Sequence, residues 1–99
     1  MNKAVVYFDV DDTLVRSVGT KRLPIVASVD RVRSLHASGA TLYLWSSGGA
    51  EYARSTADEL GISSCFTGFL AKPTRIVDDQ HITQWHGLIH LHPNQDINA

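Results

Sequence analysis

The stretch Val5-Val6-Tyr7-Phe8-Asp9-Val10-Asp11-Asp12-Thr13-Leu14-Val15 runs from a β-prone apolar segment straight into three carboxylates within four positions. Ala4 to Phe8 is apolar and too short for a helix, so it reads as a buried strand that ends at Asp9. The same grammar recurs along the chain. Thr41 to Trp45 is a second apolar run, followed by Ser46, Ser47 and Gly48. Ser64 to Leu70 holds a short third strand, followed by Lys72-Pro73. Arg75 to Val77 makes a fourth, ending in Asp78-Asp79, and Leu88 to Leu91 a fifth.

Helical spacing fills two of the gaps. From about Pro24 to Ser38, Ile25, Val29, Val32 and Leu35 recur at three- and four-residue intervals; Pro24 suits the first turn and Gly39 the carboxyl end. Residues 50–60, AEYARSTADEL, form a second helix stopped by Gly61, with Tyr52, Ala53, Thr56, Ala57 and Leu60 facing inward. Residues 12–24, with Gly19, Thr20, Lys21 and Pro24, read as a turn or small hairpin. Strands separated by helices imply β-α-β crossovers. The expected class is α/β: one doubly wound, Rossmann-like parallel sheet of about five strands with flanking helices, in a single domain over residues 1–99.

Composition bounds the function. The chain has 99 residues, 43% of them hydrophobic. A chain of this size buries roughly 60–70% of its unfolded surface, enough for one sheet with helices but no second module. Nine basic and ten acidic side chains leave a net charge of −1 and no basic block, so no nucleic-acid track is expected. One cysteine, Cys65, permits no intrachain disulfide and suits a reducing, cytoplasmic setting; it reads as a small core residue. No apolar run is long enough for a membrane span, and the N-terminus lacks a signal-peptide pattern.

In open parallel sheets ligands bind beyond the carboxyl ends of the strands, so the residues that follow each apolar run share one crevice. Those residues are Asp9, Asp11, Asp12 and Thr13, then Ser46 and Ser47, then Lys72, then Asp78 and Asp79. So many acids in a partly dry site need a counterion. Oxygen ligands suit Mg2+, whereas one cysteine and no HxxxH spacing serve zinc poorly. Lys72, Ser46 and backbone N–H groups after Asp9 fit a phosphoryl group.

Four motifs in this order resemble the haloacid dehalogenase-like (HAD) superfamily of phosphotransferases: FDVDDT ending at Thr13, LYLWSS ending at Ser47, AKP at Lys72 and RIVDD ending at Asp79. They span residues 5 to 79. The resemblance implies a Mg2+-dependent phosphomonoester phosphatase, with Asp9 the nucleophile that forms an aspartyl-phosphate and Asp11 the general acid and base. It implies metal ligation by Asp9, by the Asp11 backbone carbonyl and by an acid of the last motif, Asp79 before Asp78. Ser46 would bind the phosphoryl, with Ser47 second to it and Thr13 orienting the loop. On an extended strand Asp9 and Asp11 point the same way with Cα atoms about 6.5–7 Å apart, room for a phosphoryl between them.

Larger members insert a cap; here residues 14–45 and 48–71 each hold only a small loop, a helix and a strand, which implies a capless core with an open crevice. Such a crevice suits a macromolecular phosphorylated substrate, or a small one enclosed by a homo-oligomer. The alternative is a HAD-like regulatory or phosphate-binding module without efficient turnover. Metal-free dehalogenases lack the second aspartate, so Asp11 argues against that chemistry, and nothing resembles the sugar-positioning cap of a phosphomutase. Asp12 is expected to be solvated or capping, and Arg16, Lys21, Arg22 and Arg54 to be ordinary solvated charges. His81, His86, His90 and His92 are expected at or near the surface.

Overall fold

The structure, a computed structural model, describes residues 1–95. Its elements are β1 (Val5–Asp9), β2 (Val15–Val18), β3 (Lys21–Pro24), α1 (Val26–Ala37), β4 (Thr41–Ser46), α2 (Ala50–Leu60) and β5 (Gly68–Ala71), with short 3-10 turns at Ser63–Cys65 and Ile82–Gln84. The fold is mixed α/β. β1, β4 and β5 form a three-stranded parallel sheet in the order β1-β4-β5, and β2 and β3 form a separate antiparallel hairpin. Its turn, at Gly19 and Thr20, lies within the stretch expected to turn.

Register explains the two faces of the sheet. Phe8 pairs with Leu44 and Leu44 with Phe69, all on the core side, whereas Tyr7 pairs with Tyr43 and Tyr43 with Gly68 on the other. The β1 and β4 side chains that enter the core are the even-numbered Phe8, Leu42 and Leu44, as a period of two requires. Val29 and Val32 of α1 and Ala53 and Ala57 of α2 pack into that same cluster. Both helices therefore lie on one face. Two successive right-handed crossovers that advance the same way across a sheet must put their helices on the same side. The opposite face carries Tyr7, Tyr43 and Trp45 packed ring against ring, with centroids 5.1 and 4.8 Å from Tyr7, beside an exposed Val5.

The expected sheet of about five strands is thus three strands in the described residues, and residues 75–77 and 88–91 form none. A doubly wound sheet needs the chain to cross back after β5 and pair on the free edge of β1. Instead, the segment after β5 makes local turns, and Arg31 of α1 donates to its Pro93 carbonyl at 2.9 Å. The Gln80 N–H donates to Asp78 Oδ1 at 2.9 Å, and the Thr83 N–H donates to His81 Nδ1 at 3.3 Å. Such side-chain-to-backbone bonds compete with a strand ladder. Val77 is left fully exposed, and Ile76 and Ile89 largely so.

The helices follow the periodicity closely. α2 matches residues 50–60, and Gly61 closes it in the left-handed region at φ +70°. α1 starts two residues later than the spacing suggests, because Pro24 is the last residue of β3 rather than the first turn of the helix. No helix among the described residues is long and apolar enough to cross a membrane.

Candidate active site

The loop after β1 is anchored from below. Val10, Leu14 and Val15 are buried, and the Val10 carbonyl accepts from the N–H groups of Thr13, Leu14 and Val15 at 3.2, 2.9 and 3.3 Å. With the apolar side chains held in the core, Asp11 and Asp12 are turned outward and Thr13 sits half-buried. The reversal is completed at Asp12, whose φ of +61° is left-handed, while its N–H donates to the Val15 carbonyl at 2.7 Å. Aspartate tolerates that region better than most side chains. Asp12 thus has a conformational role in the turn as well as the exposure expected of it.

Asp9 closes β1, and Lys72 reaches it from the end of β5, with Nζ 4.0 Å from Asp9 Oδ1. The approach is built into the backbone, because the Lys72 N–H donates to the Ser46 carbonyl at 2.9 Å, carrying the β4–β5 ladder one step past β5. Three chain segments, ending at Asp9, Ser46 and Lys72, therefore meet at one edge. Ser46 is buried, and its Oγ accepts from the Gly48 N–H at 3.0 Å; Ser47 is exposed.

Asp11 is held from the helix side. The Tyr52 hydroxyl, on α2, donates to Asp11 Oδ1 at 2.7 Å. Arg22, on β3, donates through Nη2 to the Tyr52 hydroxyl at 3.1 Å and to Thr56 Oγ1 at 2.9 Å, and through Nη1 to Glu59 Oε2 at 3.0 Å. Its guanidinium carbon lies 5.2 Å from the centroid of the Tyr52 ring. The hydrogen bond to the Asp11 carboxylate pushes the Tyr52 pKa above its ordinary value; desolvation and the Asp11 charge add to this, and Arg22 opposes it. Room for the ring comes from Gly48: a Cβ there would stand 2.9 Å from Tyr52 Cδ2.

Asp78 and Asp79 lie exposed in the segment after β5, and among the described residues no three histidine, cysteine or acidic side chains cluster closely enough to hold a metal ion. The oxygen donors at Asp9 and Asp11 have the right chemistry for Mg2+, which often takes one or two carboxylates with water and phosphate oxygens making up the rest. His81, His86, His90 and His92 are exposed; His81 and His92 accept N–H bonds from Thr83 and Asn94 in local turns. Cys65 is half-buried against the core, as expected.

Sequence reasoning missed Tyr52 and Arg22, reading the first as an inward helix residue and the second as a solvated charge. One signal was present. Tyr52, Thr56 and Glu59 stand at i, i+4 and i+7 on α2, a polar stripe able to receive an arginine. No protein-family model, curated protein or solved structure matches the chain.

Proposed function

We propose that this chain is a Mg2+-dependent phosphomonoester phosphatase of the HAD type, working through an aspartyl-phosphate on Asp9. The observation that carries the proposal is the meeting of Asp9, Lys72 and the Ser46 backbone at the carboxyl ends of three parallel strands, with Asp11 two residues beyond the nucleophile. A carboxylate and an amine thus meet, beside the Ser46 backbone, where parallel sheets bind ligands.

An Asp9 carboxylate oxygen forms the new bond to phosphorus as the bond to the leaving oxygen breaks, and Asp11 gives that oxygen a proton. In the second half Asp11 takes a proton from water, whose oxygen bonds to phosphorus and frees Asp9. Lys72 offsets charge on the phosphoryl oxygens. Ser46 is the hydroxyl donor to the phosphoryl, with Ser47 and Thr13 as supporting positions. Mg2+ would be held by Asp9, the Asp11 carbonyl and Asp79 or Asp78, and would supply charge neutralisation there. An open, capless edge suits a macromolecular phosphorylated substrate, or a small one enclosed by a homo-oligomer, in a cytoplasmic setting.

A second reading, a phosphate-binding or phosphorylatable module without efficient turnover, is favoured by one observation: among the described residues no three acidic, histidine or cysteine side chains form a group that could hold a metal ion. Phosphate release from a panel of sugar, nucleotide, oligonucleotide and peptide phosphomonoesters, with Mg2+ or EDTA and beside Asp9→Asn, separates the two. Metal-dependent release lost in the variant supports the phosphatase. A long-lived acyl phosphate without release supports the module, and activity surviving Asp9→Asn refutes the aspartyl-phosphate mechanism.

A further inference from the structure

We infer that Tyr52 and Arg22 are positioning residues that aim Asp11, so that the β2–β3 hairpin and α2 together orient the proton-transferring carboxyl. The inference rests on the phosphatase reading of Asp11 and goes beyond it by assigning roles to residues outside the four motifs.

Hydrogen-bond direction carries the argument. A guanidinium can only donate, so at 3.1 Å from Arg22 Nη2 the Tyr52 oxygen must accept. The hydroxyl's one proton is thereby directed to Asp11 Oδ1, 2.7 Å away. Arg22 is itself fixed at both terminal nitrogens, by Thr56 and by Glu59, and it stacks on the Tyr52 ring. Gly48 leaves the ring space on the strand side. Asp11 stands in a loop and is exposed, so its own backbone leaves its side chain free to turn. With Oδ1 occupied by Tyr52, Oδ2 is the oxygen left to give and take the proton. The same contacts clasp the hairpin to α2, bridging positions 30 and 34 residues apart in sequence.

The test uses two substrates that differ in their need for that proton: a simple alkyl phosphomonoester, whose alkoxide must be protonated as it leaves, and p-nitrophenyl phosphate, whose phenolate leaves unaided. Tyr52→Phe keeps the ring and removes the hydroxyl. It is expected to lower kcat/KM for the alkyl ester about ten- to a hundred-fold. For p-nitrophenyl phosphate the expected change in kcat/KM is within about three-fold, because that ratio reports the first half-reaction, and slowing of the second half lowers kcat and KM together. Arg22→Met, which removes the donor that orients the hydroxyl, should reproduce the same selectivity more weakly. Independently of turnover, the 13C resonance of the Asp11 carboxyl should move in Tyr52→Phe and stay put when the Tyr7 hydroxyl is removed by Tyr7→Phe.

Equal losses on both esters, or none, in a wild type that is active would overturn the positioning role and leave the phosphatase standing. An unmoved Asp11 resonance would overturn it also. A silent wild type would refute the phosphatase reading, and the positioning role with it.

Discussion

Gly48→Ala tests the packing under the candidate site most directly. Gly48 does not lie in the left-handed region, so alanine meets no backbone penalty, and the effect is one of space. The added Cβ would stand 2.9 Å from Tyr52 Cδ2 and 3.2 Å from Cγ, closer than carbon atoms sit in ordinary contact. The ring edge must retreat by about half an ångström or more to reach a contact of about 3.5 Å. That retreat pulls the hydroxyl from Asp11 and from Arg22 together, since both bonds leave the same oxygen. Overpacking of this kind costs about 1–3 kcal/mol, against a gain of about 0.4–1 kcal/mol from the stiffer unfolded chain. A net loss of about 1–2 kcal/mol corresponds to a fall of roughly 4–16 °C in Tm for a domain of this size. Urea unfolding of Gly48→Ala, Tyr52→Ala and the double variant measures the coupling. In the Tyr52→Ala background the clash partner is gone, and Gly48→Ala should become neutral or slightly stabilising. An equal cost in both backgrounds would refute the steric account.

Four further outcomes follow from the geometry. Asp12→Gly should leave stability unchanged or raise it, whereas Asp12→Val, placing a β-branched side chain at φ +61°, should cost about 1–2 kcal/mol; chemical denaturation distinguishes them. Lys72→Met should alter stability by less than about 1 kcal/mol, because its ion pair with Asp9 is half-exposed, yet should abolish phosphate release. Asp9→Asn should fold normally and lose turnover, read by circular dichroism beside the phosphate assay. The raised Tyr52 pKa also sets a sign: the folded state holds that proton more tightly than the unfolded chain, so the stabilisation is complete below pH 10, the ordinary tyrosine value, and is lost as pH climbs through the folded pKa. Thermal unfolding from pH 8 to 11 should show the wild type losing its margin over Tyr52→Phe above pH 10.

Local pattern made most of the elements legible. The apolar run before Asp9 is β1, the residues 50–60 stripe is α2 to the residue, and the turn residues at 12–24 mark the hairpin. What failed was an inference from propensity to pairing. Arg75-Ile76-Val77 is as β-prone as the other short runs, but a strand exists only where a neighbouring edge accepts its hydrogen bonds, and among the described residues no strand pairs with it. The acid pair Asp78-Asp79 follows that segment and lies exposed.

Side-chain periodicity and the order of apolar and polar residues along the chain determined the elements, and they put Asp9, Asp11, Ser46 and Lys72 after strand ends. Those features depend on neighbours two to four positions away, which a sequence displays openly. Tertiary structure alone decided the three-strand order, the gathering of both helices on one face, and the clasp joining Arg22 to Tyr52 and Tyr52 to Asp11 across 30 and 41 residues of chain. Contacts at that separation depend on how whole elements pack, because the direction of each crossover and the space left at Gly48 determine which side chains can meet.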